Sequence, residues 1–459
     1  MQNASQEANA TQSKAAPAVD PVDEMPAPPR LAALGLQHVL VMYAGAITVP
    51  LIVGGALGLS KQDIATLINA DLLCCGIISI IQSLGIGNKI GIRLPVMMGV
   101  SYAGFAPMIA IGLTPDVGMT GLYGAIIAAG VICYLATPLI ARALVLFPPV
   151  VTGTTLVSLG VGLLGVATTW IGGGFGSSEF GRPLYLLIGA FVVLSILLIA
   201  RFARGFLANI SVLVGIVLGY AVAYLLGLVD FSGVSEAPLI GFVQPFHFGL
   251  PTFHVIPILT MTLVVLIAMV ESIGLFFSLG EILERDLTRD QFRRGLRADA
   301  LGAVIGGIFN AFPYTSYAQN IGLVGITGAR SRFICVAGGV ILIVLGFFPK
   351  VASVVASVPS FVLGGAALVM FGLVACSGIR ILSRVDWQGN RYNAFIVAIS
   401  MGLGMMPNMS AKIFHQLPSS LEPLLGSGVI LTAVSAVVLN IVFNGTRPAA
   451  SRAPAVHSI

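Results

Sequence analysis

The chain has 459 residues, of which 57% are hydrophobic and only 9% are charged, and its mean hydropathy is +1.00. This composition excludes an ordinary soluble domain and predicts an all-α protein that crosses a lipid bilayer several times. The formal net charge of +5 does not indicate nucleic acid as a partner, because the basic residues are scattered between apolar stretches. The five cysteines lie in apolar runs without metal-ligand spacing, so we predict no metal site.

Two polar tails flank the apolar part of the chain. Residues 1–30 have no continuous apolar segment of the kind a secretory signal needs, and we predict a disordered cytoplasmic tail there and a second one at residues 447–459. Between the tails, at about 20 apolar residues each, fourteen candidate spans are found. They begin near Leu34, Ile64, Pro95, Leu122, Pro149, Leu184, Ile210, Ile256, Leu301, Phe312, Phe333, Val354, Tyr392 and Gly428.

The charges of the predicted loops agree with this count. With a cytoplasmic N-terminus, fifteen loop Lys and Arg residues fall on the cytoplasmic side and four on the outside. This bias is the one that orients membrane proteins. We therefore predict a multi-pass protein of the inner (plasma) membrane with both termini in the cytoplasm. Residues 281–297 would form the largest inner loop, which we interpret as a topology anchor, and residues 230–236 an outer loop.

The two halves of the chain resemble each other. Ser101, Tyr102 and an alanine form a tripeptide in the third span that returns 215 positions later in the tenth as Ser316, Tyr317 and Ala318. These two spans are also the shortest and the most irregular. Because seven spans make up each half, the second half must enter the membrane upside down. Inverted repeats with broken segments that meet at the midplane are the plan of many secondary transporters.

The stretch from residue 314 to residue 328, YTSYAQNIGLVGITG, is polar and interrupted by glycines within an apolar chain. Irregular backbone at membrane depth is tolerated only where protein buries it or where it lines a polar cavity. We therefore predict that this stretch forms the binding site. The side-by-side carboxamides of Gln319 and Asn320 both donate and accept hydrogen bonds. They suit a neutral, planar ligand such as a nucleobase better than an anion or a metal ion.

Several ionisable residues lie inside predicted spans. Glu271 is near the middle of the eighth span, where a charged side chain costs roughly 2.5–3.5 kcal/mol on insertion scales, so it should face a cavity or a partner. A lone histidine in an apolar span is more often a hydrogen-bonded structural group than a proton relay, and we interpret His38 in this way. Asp71 and Asp299 are either helix-packing or proton-path groups, and their spacing does not decide between these roles.

Four motifs resemble those of one transporter family. Residues 319–328, QNIGLVGITG, resemble the Gln/Glu-Asn-x-Gly-x4-Thr signature of the nucleobase–ascorbate transporters. The pair Gln37 and His38, the segment VESIG around Glu271, and Asp299 twenty residues before Gln319 stand where that family has its other motifs. The resemblance extends from about residue 35 to residue 444.

The resemblance implies an architecture. Residues 31–446 would form fourteen spans in two inverted seven-span repeats, divided into a core domain and a gate domain, usually in a homodimer. The core would comprise about residues 31–142 and 256–348, and the gate about residues 147–228 and 354–446. The third and tenth spans would each contain a short strand.

The resemblance also implies roles for individual residues. In that family the residues that match Glu271 and Gln319 hydrogen-bond the base, and backbone next to Ala318 and Tyr102 adds further contacts. We place Ser101, which precedes Tyr102, with this group. The remaining matches support the site or couple it to protons: Asn320 and His38 hold its geometry, and Asp299 is tied to proton coupling.

The substrate prediction rests on three positions at which members of the family differ from each other. Gln319 resembles members that take oxidised purines, whereas uracil carriers tend to have Glu there. Gly328, at the last motif position, resembles the residue found there in many xanthine carriers. Leu275, one turn after Glu271, is more like the residue of bacterial urate carriers and of xanthine carriers of the Gram-positive type. We therefore predict a proton-driven symporter for xanthine and/or uric acid without a cofactor.

The sequence leaves two alternative transport functions open: a carrier of uracil or another nucleobase, and an anion exchanger of similar fold. An intramembrane enzyme is disfavoured, since the sequence has no paired metal-binding cluster, no nucleophile elbow and no phosphate loop.

Overall fold

The structure is a computed structural model that describes residues 20–142, 146–174, 176–410, 412–418 and 421–445. Most of the two predicted tails, residues 1–19 and 447–459, lies outside the described residues. Most of the described residues are in helices. The α-helices are α1 (Pro28–Ala56), α2 (Lys61–Leu84), α3 (Phe105–Leu113), α4 (Gly118–Arg142), α5 (Pro149–Ile171), α6 (Pro183–Phe202), α7 (Phe206–Asn209), α8 (Ser211–Leu225), α9 (Ser232–Glu236), α10 (Val255–Ile282), α11 (Arg289–Ile308), α12 (Ala318–Thr327), α13 (Arg332–Leu345), α14 (Pro349–Ala356), α15 (Ser360–Leu382), α16 (Tyr392–Met409), α17 (Glu422–Leu425) and α18 (Gly428–Asn444).

Seven of the described helices are long and apolar enough to cross a membrane: α1, α2, α4, α5, α6, α10 and α15. Helices α13 and α14 add an eighth if they are counted as one span, although they meet at an angle of 85°. The helices α8 and α18 are apolar but shorter. The chain is therefore an integral membrane protein, as its composition predicted, and its helices begin close to most of the predicted span starts.

Two short strands lie at the centre of the fold. Strand β1 (Met98–Val100) pairs with β2 (Tyr314–Ser316) in an antiparallel two-stranded sheet. Every residue of both strands is buried. Strand β1 leads through a 3₁₀ turn (Tyr102–Gly104) into α3, and β2 leads into α12. These are the strands that the family resemblance implied, and they bring the two repeated Ser-Tyr-Ala segments next to each other.

Helix α5 packs along α15, and α16 packs against α18. A second group brings α2 against α13 and α4 against α11. Small residues allow the closest approach: a Cβ atom on Gly160 of α5 would lie 2.4 Å from the backbone nitrogen of Ala375 in α15. Without a hydrophobic driving force between helices in lipid, such close backbone packing is a main source of their association.

Two boundaries differ from the sequence-based expectation. Helix α11 begins at Arg289 rather than near Leu301, because Thr288 and Gln291 form a capping box that starts a helix within the charged stretch. The predicted inner loop at residues 281–297 is therefore helical in its second half. Helix α15 begins at Ser360 rather than near Val354, since Pro359 occupies its N-cap position.

The residues just before α1 fold against the rest of the chain, although we assigned residues 1–30 to a disordered tail. Val22 is only 3% exposed. Asp23 pairs with Nε of Arg332 at 2.7 Å, and Asp20 pairs with Arg285. This segment therefore ties the loop after α10 to the start of α13.

Candidate functional site

A cavity of about 520 Å³ lies beside the two strands. Helices α1, α10 and α12 and strand β2 line one side, and α5, α8 and α15 line the other. The polar side chains of Glu271, Gln319 and Tyr102 all reach it, together with residues 315–318. The cavity continues along α10 to Arg380 and Arg384 near the end of α15. The structure thus brings together most of the residues that the sequence predicted to bind a ligand.

Glu271 stands on α10 among apolar residues. Its Oε2 atom is buried and has no hydrogen bond to any described residue. A buried polar atom without a partner is costly, so such an atom in a native fold calls for a ligand, a proton or a water molecule. The lining of the cavity by the same side chain favours a ligand or a proton.

Gln319 lies in the first turn of α12, directly after the end of β2. In the described part of the chain, no side chain or backbone group forms a hydrogen bond with its carboxamide, which lines the cavity. Backbone N–H groups in the first turn of a helix also have no partner within the helix. This end of α12 therefore presents donors and an acceptor toward the cavity.

Two tyrosines close the cavity at the strands. The Tyr102 hydroxyl donates to the carbonyl oxygen of Gly45 in α1 at 3.2 Å. It lies 3.5 Å from the Tyr317 hydroxyl, which must be the donor of that pair because the Tyr102 proton is already used. The Tyr102 ring also meets the edge of Phe371 of α15, with a centroid distance of 5.4 Å.

Gly45 leaves room for this tyrosine pair, and we predict that Gly45→Ala disrupts it. A Cβ atom on Gly45 would lie 1.5 Å from the Tyr317 hydroxyl oxygen. Overpacking of a buried site costs about 1–3 kcal/mol. The melting temperature of the purified variant should therefore fall, whereas Gly55→Ala on the same helix, where nothing lies within 4 Å, should not lower it, because alanine favours a helix more than glycine does. Equal melting temperatures for the two variants would contradict this assignment.

His38 and Asn320 lie behind the cavity rather than in its lining. The Asn320 amide nitrogen donates to His38 Nδ1 at 3.0 Å and to the His38 carbonyl oxygen at 2.9 Å. Since Nδ1 accepts, the network assigns the ring proton of a neutral His38 to Nε2. His38 is 2% exposed. The pair joins α1 to α12, which is a structural role of the kind that the sequence favoured for this histidine.

Three further polar residues are buried outside the cavity lining. Asp299 of α11 accepts a hydrogen bond from Gln82 Nε2 at 3.2 Å through Oδ1. Asp71 of α2 accepts from the Tyr314 hydroxyl at 2.8 Å. Ser101, which we grouped with the ligand contacts, instead accepts from the Ala103 backbone nitrogen at 3.3 Å and begins the 3₁₀ turn.

Of the three residues used to argue the substrate, Gln319 and Leu275 line the cavity and Gly328 does not. Leu275 lines the cavity one turn after Glu271. Gly328 does not, and it ends α12 in the left-handed conformation, with φ of 65°. Glycine adopts this conformation without strain. The backbone alone therefore accounts for Gly328, whereas Gln319 and Leu275 are placed where they can contact a ligand.

Sequence reasoning missed the hydroxyl residues that hold β2. Thr315 lines the cavity and bonds to Ser272, the neighbour of Glu271 on α10. The sequence contained little indication of this bond. Ser and Thr are frequent in membrane helices, and no pattern in the sequence links two residues that are 43 positions apart.

Comparisons with known proteins agree with the transporter motifs. A family model described as a permease family matches residues 29–413. The chain is 52% identical to the uric acid transporter UacT of Escherichia coli K12 over 426 residues, 93% of this chain and 88% of the relative. It is 45% identical to the xanthine permease of Bacillus subtilis 168 over 412 residues, 90% of this chain and 93% of the relative.

The fold is similar to that of a solved structure, the transmembrane domain of the cyanobacterial bicarbonate transporter BicA. The TM-score is 0.56 at 16% sequence identity, and the match covers 91% of this chain and 99% of that one. At this identity the likeness concerns the fold alone. The family match and the curated relatives confirm the prediction of a transporter rather than an enzyme. The chain belongs to this permease family, whose nucleobase–ascorbate transporter motifs it carries.

Proposed function

We propose that the protein is a proton-coupled symporter that imports an oxidised purine, xanthine and/or uric acid, through the cytoplasmic membrane. The observation that carries the proposal is one cavity into which both Glu271 and Gln319 project without a hydrogen-bond partner among the described residues. The names of the two curated relatives, a uric acid transporter and a xanthine permease, support the same substrates.

The chemistry of the cavity suits a purine of this class. Its volume of about 520 Å³ lies in the range of small-molecule sites, about 300–1,000 Å³. An oxidised purine carries N–H and C=O groups side by side on its edges, and the Gln319 carboxamide can donate to one and accept from the other. Apolar residues of the opposite wall, among them Leu156, Met370 and Val374, would cover the faces of the ring.

Glu271 would link purine binding to a proton. A protonated carboxyl can donate to an acceptor on the base, whereas an ionised carboxylate can only accept. If the donating form binds the purine, the proton and the purine raise each other's affinity by the same factor. Such reciprocal binding lets a proton gradient drive purine accumulation.

We further propose that the fold comprises fourteen spans in two inverted repeats, with the core and gate domains at the boundaries given above, and that it forms a homodimer. The antiparallel pairing of β1 and β2 supports the inverted relation, because equivalent segments of two inverted repeats run in opposite directions. The division of the helix contacts into a group around α5 and α15 and a group around α2, α4, α11 and α13 supports two domains.

The cavity geometry supports a state that is open toward the cytoplasm. Arg380 and Arg384, which we place on the cytoplasmic side, line its far end. At the proposed outer side, Lys61 at the start of α2 pairs with Asp230 after α8. The hydrogen bond from Lys61 lowers the pKa of Asp230 to about 2, so the Asp230 carboxylate stays ionised near neutral pH. The pair would help hold the outer side closed.

The proposed topology predicts which residues are reached from outside the cell. Single cysteines placed at Asp286 and at Glu236, in a variant without the native cysteines, should react differently with a membrane-impermeant maleimide. The residue at 236 should label in intact cells, and the residue at 286 only after the membrane is opened. Labelling of position 286 in intact cells would overturn the topology.

Uptake of radiolabelled xanthine, urate, uracil, adenine and guanine, in cells that lack their own carriers, tests the substrate class. Uptake of xanthine or urate with no uptake of uracil is the expected result. Uptake of uracil alone would favour the second nucleobase hypothesis. Uptake of none of the five, with exchange of bicarbonate or sulfate instead, would favour an anion exchanger.

A further inference from the structure

Ser272 directly follows Glu271 on α10 and is fully buried. Its hydroxyl oxygen accepts a hydrogen bond from the Ser316 backbone nitrogen at 3.0 Å. The same hydroxyl lies 3.1 Å from the Thr315 hydroxyl, and Thr315 donates to the Ala268 carbonyl oxygen at 3.1 Å. Strand β2 is thus bonded to α10 through one serine side chain at the level of Glu271.

The donor and the acceptor of each of these three hydrogen bonds can be identified. The Thr315 proton is used on the Ala268 carbonyl oxygen, so Thr315 must accept from Ser272. The Ser272 oxygen in turn accepts the Ser316 N–H. The chain of hydrogen bonds therefore runs from the Ser316 backbone through Ser272 and Thr315 to the α10 backbone, and each group in it has a hydrogen-bond partner. A buried chain in which every member has its partner holds one geometry, and loss of one member leaves a buried group unpaired.

The position of this chain of hydrogen bonds matters because Gln319 follows the end of β2 by three residues. Ser316 and Gln319 are three residues apart, with only Tyr317 and Ala318 between them. Glu271 and Ser272 are adjacent on α10. One hydroxyl therefore connects the two elements that carry the polar side chains Glu271 and Gln319 of the cavity. Binding sites need such groups held within about 0.5 Å of the productive geometry.

We propose that Ser272 is a positioning residue for the purine site: its hydroxyl fixes the distance between Glu271 and the Ala318–Gln319 end of α12. This rests on the proposed function, since the ligand that spans the two groups is the purine. Ser272 does not line the cavity, so its effect on the ligand would be exerted through β2.

The other strand provides a matched control. Ser79 of α2 is also fully buried, and its hydroxyl accepts a hydrogen bond from the Met98 backbone nitrogen of β1 at 2.8 Å. Ser79→Ala therefore removes the same kind of bond, from a helix to a strand of the same sheet. It leaves the link between Glu271 and Gln319 intact. A general weakening of the sheet affects both variants, while a positioning role affects only Ser272→Ala.

Two measurements on purified protein test the proposal. Hydrogen–deuterium exchange should be faster in the peptide that contains Ser316 in Ser272→Ala, and faster in the peptide that contains Met98 in Ser79→Ala. The dissociation constant of whichever purine the wild type binds should rise about tenfold or more in Ser272→Ala, because a buried donor loses its acceptor beside the site. It should stay near the wild-type value in Ser79→Ala.

Ser272→Cys serves if the alanine variant does not fold, since a thiol fills the space and accepts hydrogen bonds only weakly. It should give faster exchange at Ser316 and a dissociation constant between those expected for wild type and Ser272→Ala. Wild-type exchange and affinity in both Ser272 variants would overturn the proposal, as would an equal loss of affinity in Ser79→Ala. A wild type that binds none of the five nucleobases refutes the proposed function instead, and the exchange data still decide whether Ser272 holds β2.

Discussion

Gln319→Glu is expected to abolish uptake of xanthine and urate while the protein still reaches the membrane. The substitution keeps the shape of the side chain but removes its two N–H donors, so an acceptor on the purine edge is left buried without a partner. A site built on such a hydrogen bond can reject a mismatched partner by roughly 10⁴-fold. The new carboxyl also lines the same cavity as Glu271, so it adds a second ionisable group where Glu271 is proposed to bind the proton.

The measurement is initial uptake of each radiolabelled purine, corrected for the amount of protein in the membrane. Gln62→Glu is the matched control, because Gln62 is exposed at the start of α2, away from the cavity lining. It should transport like the wild type. Unchanged kinetics of Gln319→Glu for both purines would show that Gln319 does not contact the ligand.

Glu271→Gln is expected to separate binding from accumulation. Glutamine resembles the protonated carboxyl, since it offers a donor and an acceptor in nearly the same shape, but it cannot release a proton. Purine affinity should remain within about tenfold of the wild type, which is 1.4 kcal/mol, and should no longer change with pH. Accumulation of the purine against its gradient should be lost.

Binding across pH and concentrative uptake into vesicles have to be measured on the same preparation. Glu236→Gln is the control, because that glutamate is exposed at the end of α9. If binding collapses in Glu271→Gln, then Glu271 acts mainly as a ligand contact and the proton is handled by Asp299 or His38. Full proton-driven accumulation by the variant would refute both roles of Glu271.

The sequence pointed to polar residues that line the cavity, for a physical reason. In a chain with 9% charged residues, a polar or ionisable side chain within a span is conspicuous, because lipid cannot solvate it. Glu271 and Gln319 were found in this way, and both line the cavity. The broken character of the third and tenth spans likewise predicted irregular backbone at the same place, where β1 and β2 now pair.

Hydrogen bonds between residues far apart in the chain could not be predicted from the sequence. Asn320 and His38 are 282 positions apart, and only the fold shows that they bond to each other. Ser101 looked equivalent to Ser316 within the repeat, yet it begins a 3₁₀ turn and does not line the cavity. The helical start of α11 was missed because its arginines and aspartate resemble a loop, while the capping box that begins the helix is a local signal of a few residues.

The central claim is that a proton gradient drives this protein to accumulate an oxidised purine. Purified protein in liposomes, with an acidic medium outside and a neutral interior, tests it without other carriers. Radiolabelled xanthine or urate should rise inside above its external concentration, and a protonophore should abolish the rise. Purine that only equilibrates across the membrane, or that accumulates equally with the protonophore present, would contradict the account.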